Sequence, residues 1–322
     1  MALSQESRAS AVILLAGVGW GFLGLFFNIL SKVGFTPVQV SFVRMGGGWI
    51  FLALYVGFFR RDLLGIRSWK DALLFVAIGM GSLNFTNICL FSTMQVSSVA
   101  VAAVLMYTAP IFVLGMSVVF FKEQLTIRKI ISIALSVAGC ALVSGIVGAS
   151  GGGISLLAFG LGMCTAICYA SYSILGRLAV EKYAPLTMTF YSFLFCALGM
   201  LPFARVSSLV TIEFTWPIAL SILALGTISA AIPYLLYSIG LRHVEPSKAA
   251  VLATIEPIVA ALISFFVLHE YMSVWQMMGI GCILTGVVLL SMGVPQGGNT
   301  TARLKSSPLA KKRGFSEISR YL

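Results

Sequence analysis

Residues 97–124 and 244–271 read as two copies of one segment. In the first copy SVAVAAVLMYTAPIF carries Pro110 and runs on to Glu123 in KEQ. In the second, SKAAVLATIEPIV carries Pro257 and runs on to Glu270 in HEY. Pro110 and Pro257 are 147 residues apart, as are Glu123 and Glu270, and Pro37 ahead of one apolar run matches Pro185 at 148. The chain is therefore a duplication with a half-unit of about 147 residues, a period far beyond those of solenoid repeats.

Such a half is not a water-soluble domain. The chain is 59% hydrophobic and 10% charged, with a mean hydropathy of +1.01, more apolar surface than an ordinary aqueous fold can bury. Ten apolar runs fall near 10–31, 37–59, 71–93, 98–121, 127–147, 154–176, 185–204, 216–240, 249–268 and 273–293, each near the ~20 residues a membrane helix needs. The first is too long and too weakly flanked by positive charge for a cleaved signal peptide, and no A-x-A-like site follows it, so it is expected to stay. Glycines inside the runs suit close helix packing in lipid, and continuous apolar runs speak against a β-barrel.

Charge sets the expected orientation. Arg8, the clusters Arg60, Arg61, Arg67, Lys70 and Lys122, Arg128, Lys129, the pairs Arg177, Lys182 and Arg242, Lys248, and the basic residues from Arg303 to Arg320 all fall on one side; Lys32 and Arg205 fall on the other. Basic loops stay in the cytoplasm, so both termini are expected there. The net charge of +11 then reads as topology and attraction to anionic membrane lipids, not as nucleic-acid binding. An odd number of crossings per half forces the second copy to enter from the opposite side. The expectation is an all-α integral membrane protein of ten transmembrane helices in two inverted five-helix repeats, 1–148 and 149–293, with a basic cytoplasmic tail over 294–322. Inverted repeats characterise secondary transporters, whose substrate site lies near the midplane between them.

The first half also has Trp20-Gly21, Pro37, Arg44, FSTMQVSSVA before the fourth run, Pro110, Glu123 and Gly139; the second has GLRHVEPSKAA, Pro257, Glu270 and Gly286. This pattern resembles the EamA-type domain of the drug/metabolite transporter superfamily, over nearly all of residues 10–293. Cys168 stands where Trp20 would recur and Ser192 where Arg44 would recur, so the aromatic and the arginine belong to one half only. The resemblance implies a proton-driven or exchanging carrier of small metabolites in the plasma or inner membrane, monomer or homodimer, without cofactor. It also implies a central cavity built mainly by spans 1, 3, 4, 6, 8 and 9.

Charge at bilayer depth is costly and marks candidate function. Glu256 lies mid-span beside Pro257, on a small, polar face with Ala249, Ala253, Ala260 and Ser264. It reads either as a carboxyl that trades a proton for a cationic substrate group or as a neutral acid bonded to a carbonyl freed by Pro257. Arg44, seven residues after Pro37 and so roughly 10 Å deep, reads as a clamp for a substrate carboxylate, a partner of Glu256, or a side chain snorkelling to headgroups. Asn84 and Asn87 share a face three residues apart. Trp20, Gly24 and Asn28 form a stripe, as do Thr165, Tyr169, Tyr172 and Gly176; Tyr234 and Tyr237 flank Pro233, and Tyr107 precedes Pro110 by a turn. Single tyrosines often belong to the interfacial belt. Together these residues would make a mostly apolar pocket with a few placed polar groups. Aromatic faces attract ammonium groups, which favours export of an amino acid or related metabolite first and transport of a cationic amphiphile or choline-like solute second.

Other constellations carry no chemistry. Cys89, Cys140, Cys164, Cys168, Cys196 and Cys282 all fall within apolar runs, so disulfides and metal ligation are not expected. His243 and His269 lie in separate loops, and no nucleotide fingerprint or enzyme nucleophile-base set occurs. A channel would need rings of charge or polar lining. A scaffold or receptor would not need inverted repeats. Glu123 and Glu270, beside Lys122 and His269, read as caps or gating contacts in exposed loops, where ion pairs contribute little.

Overall fold

The computed structural model describes residues 4–146, 154–212 and 215–291, and among them the chain is helix and turn without a strand. Ten helical rods follow one another: α1 (Gln5–Lys32), α2 (Pro37–Phe59), α3 (Trp69–Val96), α4 (Val99–Phe121), α5 (Ile127–Val143), α6 (Leu156–Lys182), α7 (Pro185–Met200), α8 (Trp216–Leu241), α9 (Pro246–Phe266) and α10 (Val274–Ser291). Eight are long and apolar enough to cross a membrane. The others are α7, apolar with 16 residues, and α5, 17 residues with Arg128 and Lys129 in its first turn, or about 26 Å at 1.5 Å per residue. The protein is thus a multi-pass, all-α integral membrane protein. The expected tail and the expected boundary at 148/149 lie outside the described residues.

Local sequence sets where the rods begin and end. Before α2, the Thr36 hydroxyl accepts from the Gln39 amide and the Gln39 side chain accepts from the Thr36 amide, a capping box completed by Pro37 at the first helical position. The hydroxyls of Ser68, Ser98, Thr126 and Ser155 cap α3 to α6 by accepting from the amide three residues on. After α4 and α9 the chain turns through Lys122 (φ 55°) and His269 (φ 56°). The next amides then close back, Glu123 to the Ser117 carbonyl at 3.3 Å and Glu270 to that of Ser264 at 3.0 Å. These are the same turn made twice, 147 residues apart.

Packing repeats too. α5 lies against α10, α2 against α7 and α4 against α9; α1 of the first half packs on α8 of the second, as α6 packs on α3. Exchanging the halves reproduces this list, as a pseudo-twofold relation requires. At the α5–α10 contact a Cβ on Gly139 would lie 2.7 Å from the Gly279 carbonyl oxygen, and one on Gly286 would lie 2.8 Å from that of Ser132. Backbone meets backbone there, so these positions must be glycine. Outward faces carry bare apolar side chains such as Leu54, Phe58, Val119, Leu156 and Leu223, as lipid contact demands.

Gly139→Leu is expected to lower unfolding stability in detergent by about 1–3 kcal/mol through overpacking. Gly281→Leu, where nothing lies within 4 Å of a built Cβ, is expected to stay within about 0.5 kcal/mol. Denaturation followed by tryptophan fluorescence distinguishes them.

Candidate functional site

Four rods are locally irregular at matched places. α4 breaks at Tyr107–Thr108 and α9 at Thr254–Ile255; α3 contains a π-helical stretch, Ala77–Asn84, and α8 another, Thr227–Ala231. Proline explains the first pair. Pro110 and Pro257 have no N–H to give the carbonyls of Met106 and Ala253 four residues back. Each helix stops there and restarts one residue before its proline, at Ala109 and Glu256. The Thr108 and Thr254 hydroxyls bond to the carbonyls of Leu105 and Val251, each at 2.6 Å.

Between the two breaks lies a cavity lined by Met106, Tyr107, Pro110, Tyr169, Thr254 and Glu256. Glu256 is the first residue of the restarted helix, where free N–H groups and the helix dipole favour a negative group. No described residue donates a hydrogen bond to its carboxylate oxygens. Two glycines of α1 press against the same break: a Cβ on Gly17 would lie 3.6 Å from the Glu256 nitrogen, and one on Gly21 3.0 Å from its carbonyl oxygen. The expected continuous face of α9 is split at Thr254–Ile255, with Ala249 and Ala253 buried on one side, and Ala260 and Ser264 half-buried on the other.

Arg44 does not snorkel. It is 6% exposed, and its Nε and Nη2 donate to the Ser229 carbonyl at 3.2 and 2.8 Å. That carbonyl is free because Pro233, four residues on, cannot donate to it, and the π-helical turn of α8 leaves it facing α2. The guanidinium stands 5.7 Å from the Tyr234 ring centroid. Two of its five N–H groups are used, leaving three without an acceptor among the described residues. Tyr234 belongs to an aromatic cluster with Trp20 (5.0 Å), Tyr172 (5.4 Å) and Phe193 (5.2 Å), and Tyr237 stacks beside Trp20 at 5.3 Å. The Trp20 indole N–H is buried without a partner among the described residues, while the Tyr237 hydroxyl pairs with Ser173 at 2.7 Å. The charge of Arg44 acts on Glu256, and that of Glu256 on Tyr107, Tyr169 and Tyr234. The acid lines the cavity, and the cation is buried beside the neighbouring aromatic cluster.

Other expected residues lie elsewhere. The Asn87 amide donates to the Leu83 carbonyl at 2.7 Å and accepts from Ser41 at 3.1 Å, fastening α2 to α3. Asn84 packs on Gly199 of α7, so the two asparagines face different helices. Asn28 is half-buried beyond an irregularity at Phe22, where Gly24 is exposed, so the proposed stripe does not continue from Trp20. Thr165 is buried and bonds to the Leu161 carbonyl at 3.0 Å. Among the described residues no group of three metal-ligating side chains gathers.

The expected exposed loop at Glu123 is instead buried. Lys129 Nζ lies 3.2 Å from Glu123 and 2.8 Å from Glu245, and the Ser247 hydroxyl donates to Glu123. Nothing in a solvent-exposed reading of KEQ anticipated a partner 124 residues away. His243, near Gln5 at 3.1 Å, is pushed down to about 4 by burial, then by Arg242 and Arg177, so it is a neutral partner near pH 7.

Residues 7–145 and 156–292 match the model of the EamA-like transporter family. An uncharacterized transporter of Archaeoglobus fulgidus is 29% identical over 286 residues, 87% of this chain and 94% of its own. The uncharacterized transporter YxxF of Bacillus subtilis is 25% identical over 309 residues, 93% and 95% of the two chains. The uncharacterized inner membrane transporter YhbE of Escherichia coli is 30% identical over 146 residues, 42% of each chain. A solved crystal structure shares the fold with a TM-score of 0.69 at 19% identity, covering 88% of this chain and 96% of the other.

Replacing Arg44 with Met leaves the Ser229 carbonyl buried and unmet, and is expected to cost about 1–3 kcal/mol of unfolding stability. Arg44→Lys, which keeps one charged donor, is expected to lose less. Equal losses for Met and Lys would mean that the hydrogen bonds to Ser229 contribute nothing.

Proposed function

Because the chain belongs to the EamA-like transporter family, we propose that it is a secondary active transporter that carries an amino acid or a related zwitterionic metabolite, in the direction of export, by alternating access. The carrying observation is Glu256, a cavity carboxyl without a hydrogen-bond partner among the described residues, set where α9 is broken opposite the break in α4. A bare carboxylate at bilayer depth costs several kcal/mol. In this reading Glu256 holds a proton when the site is empty and a substrate ammonium when it is filled. The three free N–H groups of Arg44 receive the substrate carboxylate, and Tyr107 and Tyr169 enclose the apolar part between them.

Proton exchange at Glu256 would couple transport to the proton gradient, and exchange of one zwitterion for another would bypass it. The membrane arrangement that goes with this is ten crossings, inverted halves and both termini in the cytoplasm. It is supported by the gathering of Lys and Arg on one side and by the interchangeable packing of the halves. The printed names of the relatives, an inner membrane transporter among them, favour the plasma or inner membrane. Transporter family membership also favours transport over an enzymatic or scaffold role.

A cation without a carboxylate, such as a quaternary ammonium compound, is the second reading, because Tyr107 and Tyr169 flank Glu256 and aromatic faces bind such groups. It is weaker beside Arg44. There Arg44 already occupies the face of Tyr234 and would repel a second cation.

Proteoliposomes loaded with a panel of amino acids and choline test this. Wild type is expected to accumulate an amino acid when a pH gradient is imposed. Glu256→Gln is expected to keep exchange while losing about tenfold or more of the gradient-driven accumulation. Gradient-driven accumulation that survives in Glu256→Gln would remove Glu256 from coupling. Accumulation of choline but not of any amino acid would favour the second reading.

A further inference from the structure

Charged contacts between the halves gather at one end of the bundle. Lys129 of α5 sits between Glu123, at 3.2 Å, and Glu245, at 2.8 Å, and Ser247 at the start of α9 donates to the same Glu123 oxygen that Lys129 holds. Beside it Glu6 of α1 meets Lys248 of α9 at 2.8 Å. Further round, Asp71 of α3 holds Lys182 at 3.2 Å and the Tyr183 hydroxyl at 2.8 Å. This is the basic end, where Arg8, Arg67, Lys122, Arg177 and Arg242 also lie.

The repeat supplies a built-in comparison, because the positions offset by 147 fall at the opposite end. There Glu123 becomes Glu270, Lys129 becomes Gln276, Glu245 becomes Ser98, Ser247 becomes Ala100 and Lys248 becomes Val101. Glu270 is exposed, and Ser98 is spent capping α4. Among the described residues the contacts between halves at that end are neutral: Gln276 donates to the Val143 carbonyl at 3.3 Å, and Gln39 to Ser208 at 2.7 Å. The backbone turn is duplicated, but the ionic cluster is not.

One more feature separates the cluster from a static brace. Glu123 is buried, yet its second carboxylate oxygen has no hydrogen-bond partner among the described residues, and a single ammonium serves two carboxylates.

We infer that Glu123, Lys129, Glu245 and Ser247 form an ionic latch that closes the cavity at the basic end and must part whenever the cavity opens there, while the opposite end opens without breaking an ion pair. This rests on the carrier reading above. It assigns the resting protein to the conformation closed at the basic end, and it makes Glu123 and Lys129 determinants of which side the site faces.

Sidedness of labelling tests it without any substrate. In a background with the native cysteines replaced, Thr254→Cys places one thiol on the cavity wall. A membrane-impermeant maleimide is applied from the basic end. Glu123→Gln and Lys129→Met are each expected to raise the labelling rate about tenfold, a shift in population, and Glu270→Gln, the exposed counterpart, to leave it unchanged. Unchanged rates in both latch variants, or an equal rise in Glu270→Gln, would overturn the latch. Should the latch variants misfold, Glu123→Cys combined with Ser247→Cys can be bridged by a bifunctional, reducible thiol reagent. Solute counterflow is expected to stop on bridging and return on reduction. Counterflow that continues at the unbridged rate would overturn the proposal. Absence of counterflow in the unbridged parent would count against the carrier reading alone, since labelling still decides the latch.

Discussion

Inside a bilayer every backbone N–H and C=O must find its partner within the protein, and this site is assembled where that rule is strained. Pro233 leaves the Ser229 carbonyl without its helical donor, and Arg44 takes the vacancy with two N–H groups. Pro110 and Pro257 do the same to Met106 and Ala253, whose residues line the cavity. The exposed helix ends favour charge, and the carboxyl that lines the gap is Glu256. The two charged groups, Arg44 and Glu256, thus each stand where a proline interrupts a helix.

Duplication supplies the scaffold, and departures from it supply the chemistry. The two breaks, the two left-handed turns at Lys122 and His269 and the glycine contacts of α5 with α10 recur between halves. Glu256 does not recur, since its counterpart is Ala109; Arg44 faces Ser192 in the second copy, and Trp20 faces Cys168. A buried cation and a cavity acid come from different halves, so in the carrier reading relative movement of the halves alters the site itself. The ion cluster at Glu123 is likewise a single-copy feature laid on a duplicated turn.

Much of this could be read before the fold was known. Apolar runs located the rods because 20-residue periods of hydrophobicity have no other solution in lipid, and matched prolines located the breaks. Charge at depth marked Arg44 and Glu256 because burial of charge is rarely neutral. What escaped depended on three-dimensional register. A π-helical stretch in α3 turns Asn84 toward α7 and Asn87 toward α2, which a uniform 3.6-residue period would not show. The irregularity at Phe22 separates Asn28 from Trp20 for a similar reason. Glu123 looked like a loop residue because its partners Glu245 and Ser247 lie in the other half, and no local pattern reports a contact across that distance.

The central claim is that Arg44 and Glu256 address opposite ends of one zwitterionic solute. Competition of the transported solute by two analogues, one lacking its carboxylate and one lacking its amine, tests it most directly. In the wild type both analogues should compete poorly. Arg44→Met should lose the penalty for the missing carboxylate only, and Glu256→Gln the penalty for the missing amine only. If either variant relaxed both penalties equally, or neither variant altered discrimination while transport continued, the two residues would not be the poles of the site.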